Sequence, residues 1–147
     1  MSTLTERLLA PSTRPTVVKD CVQVIEDEVR SKSGLKGLAI KTAFKTVKAF
    51  KPGIIPDVVN VLVEDFVEKL EPFYAEFQST DGDDFGKYTL RHGDRVAETL
   101  LSITDRRADG SKHKTLVRAY RKLRPQGKKQ VVAAMPRIGD MLRRQGL

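Results

Sequence analysis

The sequence predicts an all-α protein, a compact bundle of about seven to eight short helices around one core. Two observations carry this prediction. Apolar residues recur at spacings of three and four along nearly the whole chain, and proline and glycine fall between the blocks so formed. No linker or internal repeat divides the chain, so residues 1–147 are predicted to form a single domain. A chain of this length buries roughly 68–70% of its unfolded surface in one core.

The first two helices have clear sequence boundaries. Thr3 and Glu6 form a capping-box pattern that predicts a short first helix, and Pro11 ends it. A second helix is predicted over about residues 13–32, where Gly34 stops it. Cys21 belongs to its inner apolar face, so we expect this thiol to pack as a small hydrophobe.

The third predicted helix, residues 33–50, is rich in lysine, contains no acid and ends at "KPG". Its apolar side chains cover about two-thirds of the helix circumference. A face this wide predicts a central helix with protein on more than one side, so we expect no role at a membrane surface and no calmodulin-like binding. Lys41, Lys45 and Lys48 would share the one solvated strip.

Proline and the next loop define a fourth helix. It is predicted to begin around Pro56 and to continue to about Leu70, because proline suits the first turn of a helix. Pro72 is expected to kink it or to open a new turn through Phe77. The loop "STDGDD" follows.

Four further helices complete the prediction. Asp83 or Asp84 caps a short helix that runs to His92, and the following "GD" reads as a stop and a new cap for a sixth helix to about residue 107. "ADGS" leads to a seventh helix, about residues 112–124. "PQG" leads to an eighth, about residues 128–144, which Pro136 is expected to divide.

The charge is distributed unevenly. Residues 106–147 carry 13 Lys and Arg against two acids, whereas residues 1–105 carry 14 against 17, which accounts for the net charge of +8. A strongly basic C-terminal third, from about residue 106, favours an anionic partner without specifying the fold.

Wheel positions place these charges in two strips. Like charges at i,i+4 cost a helix about 0.2–0.5 kcal/mol per pair, so an unbroken basic strip favours a nearby anion. The acidic strip on the fourth helix comprises Asp57, Glu64, Glu68 and Glu71. The basic strip on the seventh comprises Lys114, Arg118, Arg121 and Lys122, with Lys128 and Lys129 opening the eighth helix.

Three interpretations of the basic strip remain open. It is a solvated face, relieved in part by the acidic helix of its own chain; it meets a protein partner or a second copy; or it binds nucleic acid. The segment "HKTLVRAYRKLRPQGKKQVVAAMPRI" has the outline of two helices joined by a short turn, which motivates the nucleic-acid interpretation.

The sequence contains no pattern typical of a metal site, a nucleotide site or a catalytic centre. "DGDDFGKYTLRH" departs from a calcium loop at its fifth and twelfth places, and two histidines with one cysteine provide no transition-metal set at a recognisable spacing. No nucleotide or nucleophile motif is present, so we predict no metal, no cofactor and no catalytic residue. The chain start lacks a signal-peptide pattern, which predicts a cytoplasmic protein.

The segments "VVKDCVQVIEDEVRSKSGLKGLAIKTAFKTVKAFKPG", "DFGKYTLRHGDRVAETLLSITDRRA" and "VVAAMPRIGDML" resemble an uncharacterised family of small soluble bacterial proteins over nearly the whole chain. The resemblance implies a stand-alone helical domain, and it supplies no activity or site residues. The expected function is therefore a non-catalytic domain that acts through protein contacts, with nucleic-acid binding as the rival. The third hypothesis is an enzyme that acts on a small acidic molecule.

Overall fold

A computed structural model describes residues 3–147, and it is helical with no strand in that range. This confirms the predicted all-α class. The α-helices are α1 (Leu4–Leu8), α2 (Arg14–Ser31), α3 (Gly34–Phe50), α4 (Ile54–Gln78), α5 (Phe85–Arg91), α6 (Gly93–Asp109), α7 (Lys114–Leu123) and α8 (Gly127–Arg144), with a 3₁₀ turn at Arg124–Gln126 before α8.

Helices α4 and α8 organise the core. Helix α4 packs against α1, α2 and α6, while α8 packs against α2, α5 and α6. Deeply buried side chains from distant parts of the chain form one cluster, which joins the N-terminal helices to the C-terminal helix. They include Leu4, Val17, Phe85, Val96, Met135 and Leu142.

The capping box at the N-terminus is confirmed. Thr3 Oγ1 accepts a hydrogen bond from the Glu6 amide (3.1 Å), and Glu6 Oε2 accepts one from the Thr3 amide (3.2 Å). Two otherwise unpaired backbone donors are thereby satisfied at the start of a five-residue helix.

The two prolines do not interrupt their helices. Pro72 lies inside α4 and Pro136 inside α8, and both are exposed. Each lacks the amide that would bond four residues back, but water can reach the carbonyl left free on an exposed side. The prediction that Pro136 divides the last helix is wrong, as is the end of the fourth helix near Leu70.

Some boundaries differ from the prediction by a few residues. Helix α4 begins at Ile54 rather than Pro56, and α7 begins at Lys114 rather than near residue 112. Gly93 is the first residue of α6 instead of a stop, so His92 alone separates α5 from α6.

Helix α3 is peripheral, which corrects the prediction of a central helix. It packs against α7, α2 and α4 through an inner face on which Gly37, Ile40 and Ala43 are buried. Leu35 and Leu38 on the other side are 88% and 62% exposed. The wheel counted each alanine as a core residue, although alanine is a strong helix former at exposed positions as well as at buried ones.

Candidate functional site

Helix α7 has one buried and one cationic side. Ala119 is buried and Leu116, Val117 and Tyr120 are half-buried, because α7 packs against α3 and also contacts α6. The charged residues repeat at spacings of three and four and therefore lie together on the opposite side. We call Lys114, Arg118, Arg121 and Lys122 the α7 cationic face.

Polar contacts anchor the C-terminal end of α7 to α6. Tyr120 Oη donates to Asp105 Oδ1 (2.5 Å), while Arg124 Nε and Nη2 donate to the two Asp105 oxygens (2.7 and 3.0 Å). The hydrogen bond from Arg124, followed by that from Tyr120, lowers the pKa of Asp105. Partial burial is the main cause of the raised pKa of Tyr120. Arg124 is therefore part of the internal contact between α7 and α6.

The α7 cationic face surrounds a shallow, open depression of about 510 Å³ that is also lined by Val117. Arg121 Nη2 pairs with Asp109 Oδ1 at 3.1 Å, and both side chains are largely exposed. Lys114, Arg118 and Lys122 have no ion-pair partner among residues 3–147. Three uncompensated cations therefore border a depression with an apolar component.

The two lysines that open α8 differ from each other. Lys128 Nζ lies 2.8 Å from Glu98 Oε1, and this hydrogen bond raises the pKa of Lys128 and lowers that of Glu98. Lys129 is exposed and has no ion pair in the described part of the chain. Only one of the two is available to a partner without breaking an internal contact.

The acidic strip of α4 does not meet the α7 cationic face. Glu64 pairs with Arg14 of α2 (2.6 Å), and Asp57 pairs with Lys51 (3.3 Å). Glu71 Oε1 accepts from the backbone amide of Thr5 at 2.6 Å. Because α4 presents these acids to α1, α2 and the α3–α4 turn, the suggestion that they relieve the basic strip is wrong.

Glu68, the remaining member of that strip, is exposed and has no partner among the described side chains. Asp65, on the same helix but outside the predicted strip, pairs with Arg107 of α6 (2.7 Å). The sequence shows that Asp65 follows Asp57 by eight residues on one helix. It does not show that α6 lies beside this part of α4, so the pair with Arg107 could not be predicted.

Residues 3–147 hold no group of three or more metal-ligating side chains. Asp84 instead caps α5, accepting from the Lys87 amide (2.9 Å), and pairs with Arg143 (2.8 Å). The rings of His92 and His113 pack against Tyr88 and Phe50 respectively, with centroid separations of 4.5 and 5.4 Å.

Within the same residues, no helix is long and apolar enough to cross a bilayer. A family model matches residues 4–146, nearly the whole chain, and its description is a family of unknown function, DUF6918. The protein belongs to DUF6918. No curated protein and no solved structure matches it. This match confirms the resemblance to an uncharacterised family. Since the family has no assigned function, a function must be inferred from the surface of the structure.

Proposed function

We propose that this DUF6918 protein is a non-catalytic binding domain of the bacterial cytoplasm, and that its α7 cationic face holds an acidic segment of a protein partner. The observation that carries the proposal is the set of three exposed cations, Lys114, Arg118 and Lys122, without a counter-ion in residues 3–147. An approaching carboxylate would relieve their mutual repulsion.

The depression favours a protein partner over a phosphate backbone. Val117 contributes apolar surface beside the cations, and the alkyl stems of lysine and arginine add more. A peptide that carries an apolar side chain beside acids would use both parts of this surface. A nucleic-acid backbone would use only the charges.

The packing of α8 also bears on the choice. In a helix-turn-helix protein the second helix enters the major groove with its N-terminal residues. Here α8 packs against α2, α5 and α6, and Met135 in its centre is fully buried. Between Lys129 and the last turn, the exposed positions of α8 are Ala133, Pro136 and Asp140, which offer a phosphate backbone no positive charge.

A photo-cross-linking amino acid at Val117 tests the proposal inside cells. We expect a discrete adduct with another protein, sensitive to protease and resistant to nuclease. The adduct should be lost when Arg118 and Lys122 are both replaced by alanine. The matched control, Lys87→Ala with Arg91→Ala on α5, removes the same charge from exposed positions and should keep it.

Two other results would overturn the protein-partner proposal. An adduct of twice the chain mass would show a second copy, and a nuclease-sensitive adduct would show nucleic acid. The nucleic-acid alternative has support from unpaired Lys129, close in sequence to α7. Fluorescence anisotropy with labelled duplex DNA and single-stranded RNA measures it: four phosphate contacts on duplex DNA predict about a 100-fold loss of affinity between about 50 and 200 mM salt.

A further inference from the structure

The outward side of α3 is an exposed face without charge along its middle. Its residues fall within an arc of about 100° at 100° per residue and extend over about 21 Å of helix. Four of the five intervals between successive positions, from Leu35 to Ala49, are three or four residues. This α3 outer face consists of Leu35, Leu38, Ala39, Thr42, Thr46 and Ala49, all exposed.

The two leucines are the most exposed large apolar side chains among residues 3–147. Leu35 is 88% exposed and Leu38 62% exposed, near the start of the helix. Further along, the Thr46 hydroxyl donates to the Thr42 carbonyl at 3.1 Å. That hydroxyl is therefore already satisfied and needs no hydrogen bond from water.

Unpaired lysines flank the α3 outer face. Lys45 and Lys41 lie along one edge by wheel position and Lys36 lies beyond the other, and none has an ion pair within residues 3–147. The remaining lysines of this region point elsewhere: Lys48 pairs with Glu26 and Lys51 with Asp57. No acid occurs anywhere in residues 33–53.

We propose that the α3 outer face docks on the surface of a bilayer that contains anionic lipid. Leu35 and Leu38 enter the boundary between headgroups and acyl chains, while Lys36, Lys41 and Lys45 reach the lipid phosphates on either side. This arrangement matches the chemistry of interfacial helices, in which apolar burial and attraction to anionic lipid act together. The prediction of no membrane-surface role depended on a central α3, and that placement is wrong.

Charge argues against a second copy on this face. An α3–α3 contact would bring two acid-free helices together and place their lysines side by side, with no carboxylate from either helix to compensate.

The exposure of Leu35 argues against a docked partner helix. A side chain 88% exposed has no neighbouring element that rises beside it as the wall of a groove, and a planar surface suits it better.

Vesicle flotation of the full chain provides the first test. We expect binding to vesicles of about 30% phosphatidylglycerol in phosphatidylcholine at about 150 mM salt, and none to phosphatidylcholine alone. Leu35→Glu with Leu38→Glu should lower the partition coefficient at least tenfold. Leu90→Glu, at a leucine that is 45% exposed on α5, should leave it unchanged. Circular dichroism melts of each variant confirm that folding is retained.

A second readout reports the depth of insertion. The chain contains no tryptophan, so Leu38→Trp introduces a single tryptophan whose emission can be excited selectively. Its emission should shift to the blue on anionic vesicles and stay unchanged on neutral ones. No shift, no flotation, or equal flotation of the Leu35 and Leu38 variant would overturn the proposal. A dimer of the native chain that is dissociated by Leu35→Glu with Leu38→Glu, measured by analytical ultracentrifugation, would also overturn it.

The two proposals fail separately. Replacement of Arg118 and Lys122 by alanine should remove the α7 cross-link but leave most vesicle binding and the tryptophan shift in place. If that variant abolishes flotation while Leu35→Glu with Leu38→Glu does not, the α7 cationic face binds the lipid and the α3 proposal is overturned.

Discussion

Gly86 of α5 and Gly139 of α8 are in direct backbone contact. A Cβ at Gly86 would collide with the Gly139 carbonyl group, and both residues are buried. The close approach lets a seven-residue helix pack along α8, where it buries Phe85 and Thr89. Glycine is used here for its missing side chain, because both residues have helical backbone.

Gly86→Ala should destabilise the protein by about 1–3 kcal/mol, since the added methyl forces α5 and α8 apart. Gly139→Ala should cost less, because its Cβ would lie 3.0 Å from the nearest Gly86 atom. Urea unfolding of both variants measures the difference. Gly110→Ala, whose Cβ would meet its nearest atom at 3.8 Å, is the control. Equal stability of Gly86→Ala and Gly110→Ala would contradict the close packing.

Asp105→Asn should destabilise the protein by about 1 kcal/mol or less at pH 7, because the ion pair with Arg124 is partly exposed. The folded-state pKa of Asp105 is lowered, so its contribution is present above the unfolded pKa of about 3.9 and is lost as the pH falls through the folded value. The stability difference from the native sequence should therefore shrink below about pH 4.

The matched control for that experiment is Asp109→Asn. Its pair with Arg121 has side chains 63% and 73% exposed, and we expect almost no change in unfolding free energy at any pH. Thermal unfolding between about pH 3 and pH 7 compares the two. Identical pH profiles would show that the contacts from Tyr120 and Arg124 contribute nothing measurable.

Cys21 should react slowly in the folded protein. Burial is the main cause that raises the pKa of its thiol to about 11, and the nearby Asp20 carboxylate adds to it. The thiolate fraction at pH 8 is then on the order of 100-fold below that of an ordinary thiol. Reaction with a chromogenic disulfide, in buffer and in denaturant, measures both rates. Equal rates would show that the thiol is accessible and unperturbed.

Thr3→Ala should loosen α1, because it removes the side-chain acceptor for the Glu6 amide at a cost of about 1 kcal/mol. Leu4 and Leu8 of this helix are buried, so the loss should appear in global stability as well as in amide exchange at the N-terminus. Thr3→Ser keeps the hydroxyl and should behave like the native sequence. A serine variant as unstable as the alanine variant would assign the effect to the lost methyl group.

Local patterns predicted the helices well. The capping box at Thr3 and the Asp84 cap depend on groups three residues apart, so the sequence alone contains both partners. Helix ends were less certain where proline was the signal, because the effect of Pro72 and Pro136 depends on whether water reaches the freed carbonyl. Access of water to that carbonyl depends on how the neighbouring helices pack, which the local sequence does not show.

The candidate surfaces were predicted in part. The wheel grouped the cations of α7 correctly on one side, since i,i+3 and i,i+4 neighbours share a helix face in any fold. It could not show that the acids of α4 face α1 and α2, nor that Arg124 is held by Asp105. Those pairings join residues 19 to 66 positions apart.

The sequence by itself determined the helical class, most helix boundaries and the clustering of charge in the C-terminal third, because each follows from interactions within a few residues. Only the tertiary structure decided which helix is central. The apolar circumference of α3 predicted burial, yet its position at the edge of the bundle leaves Leu35 and Leu38 in solvent. The reason is physical: helix periodicity records which side chains share a face, whereas burial depends on how many neighbours pack around the helix.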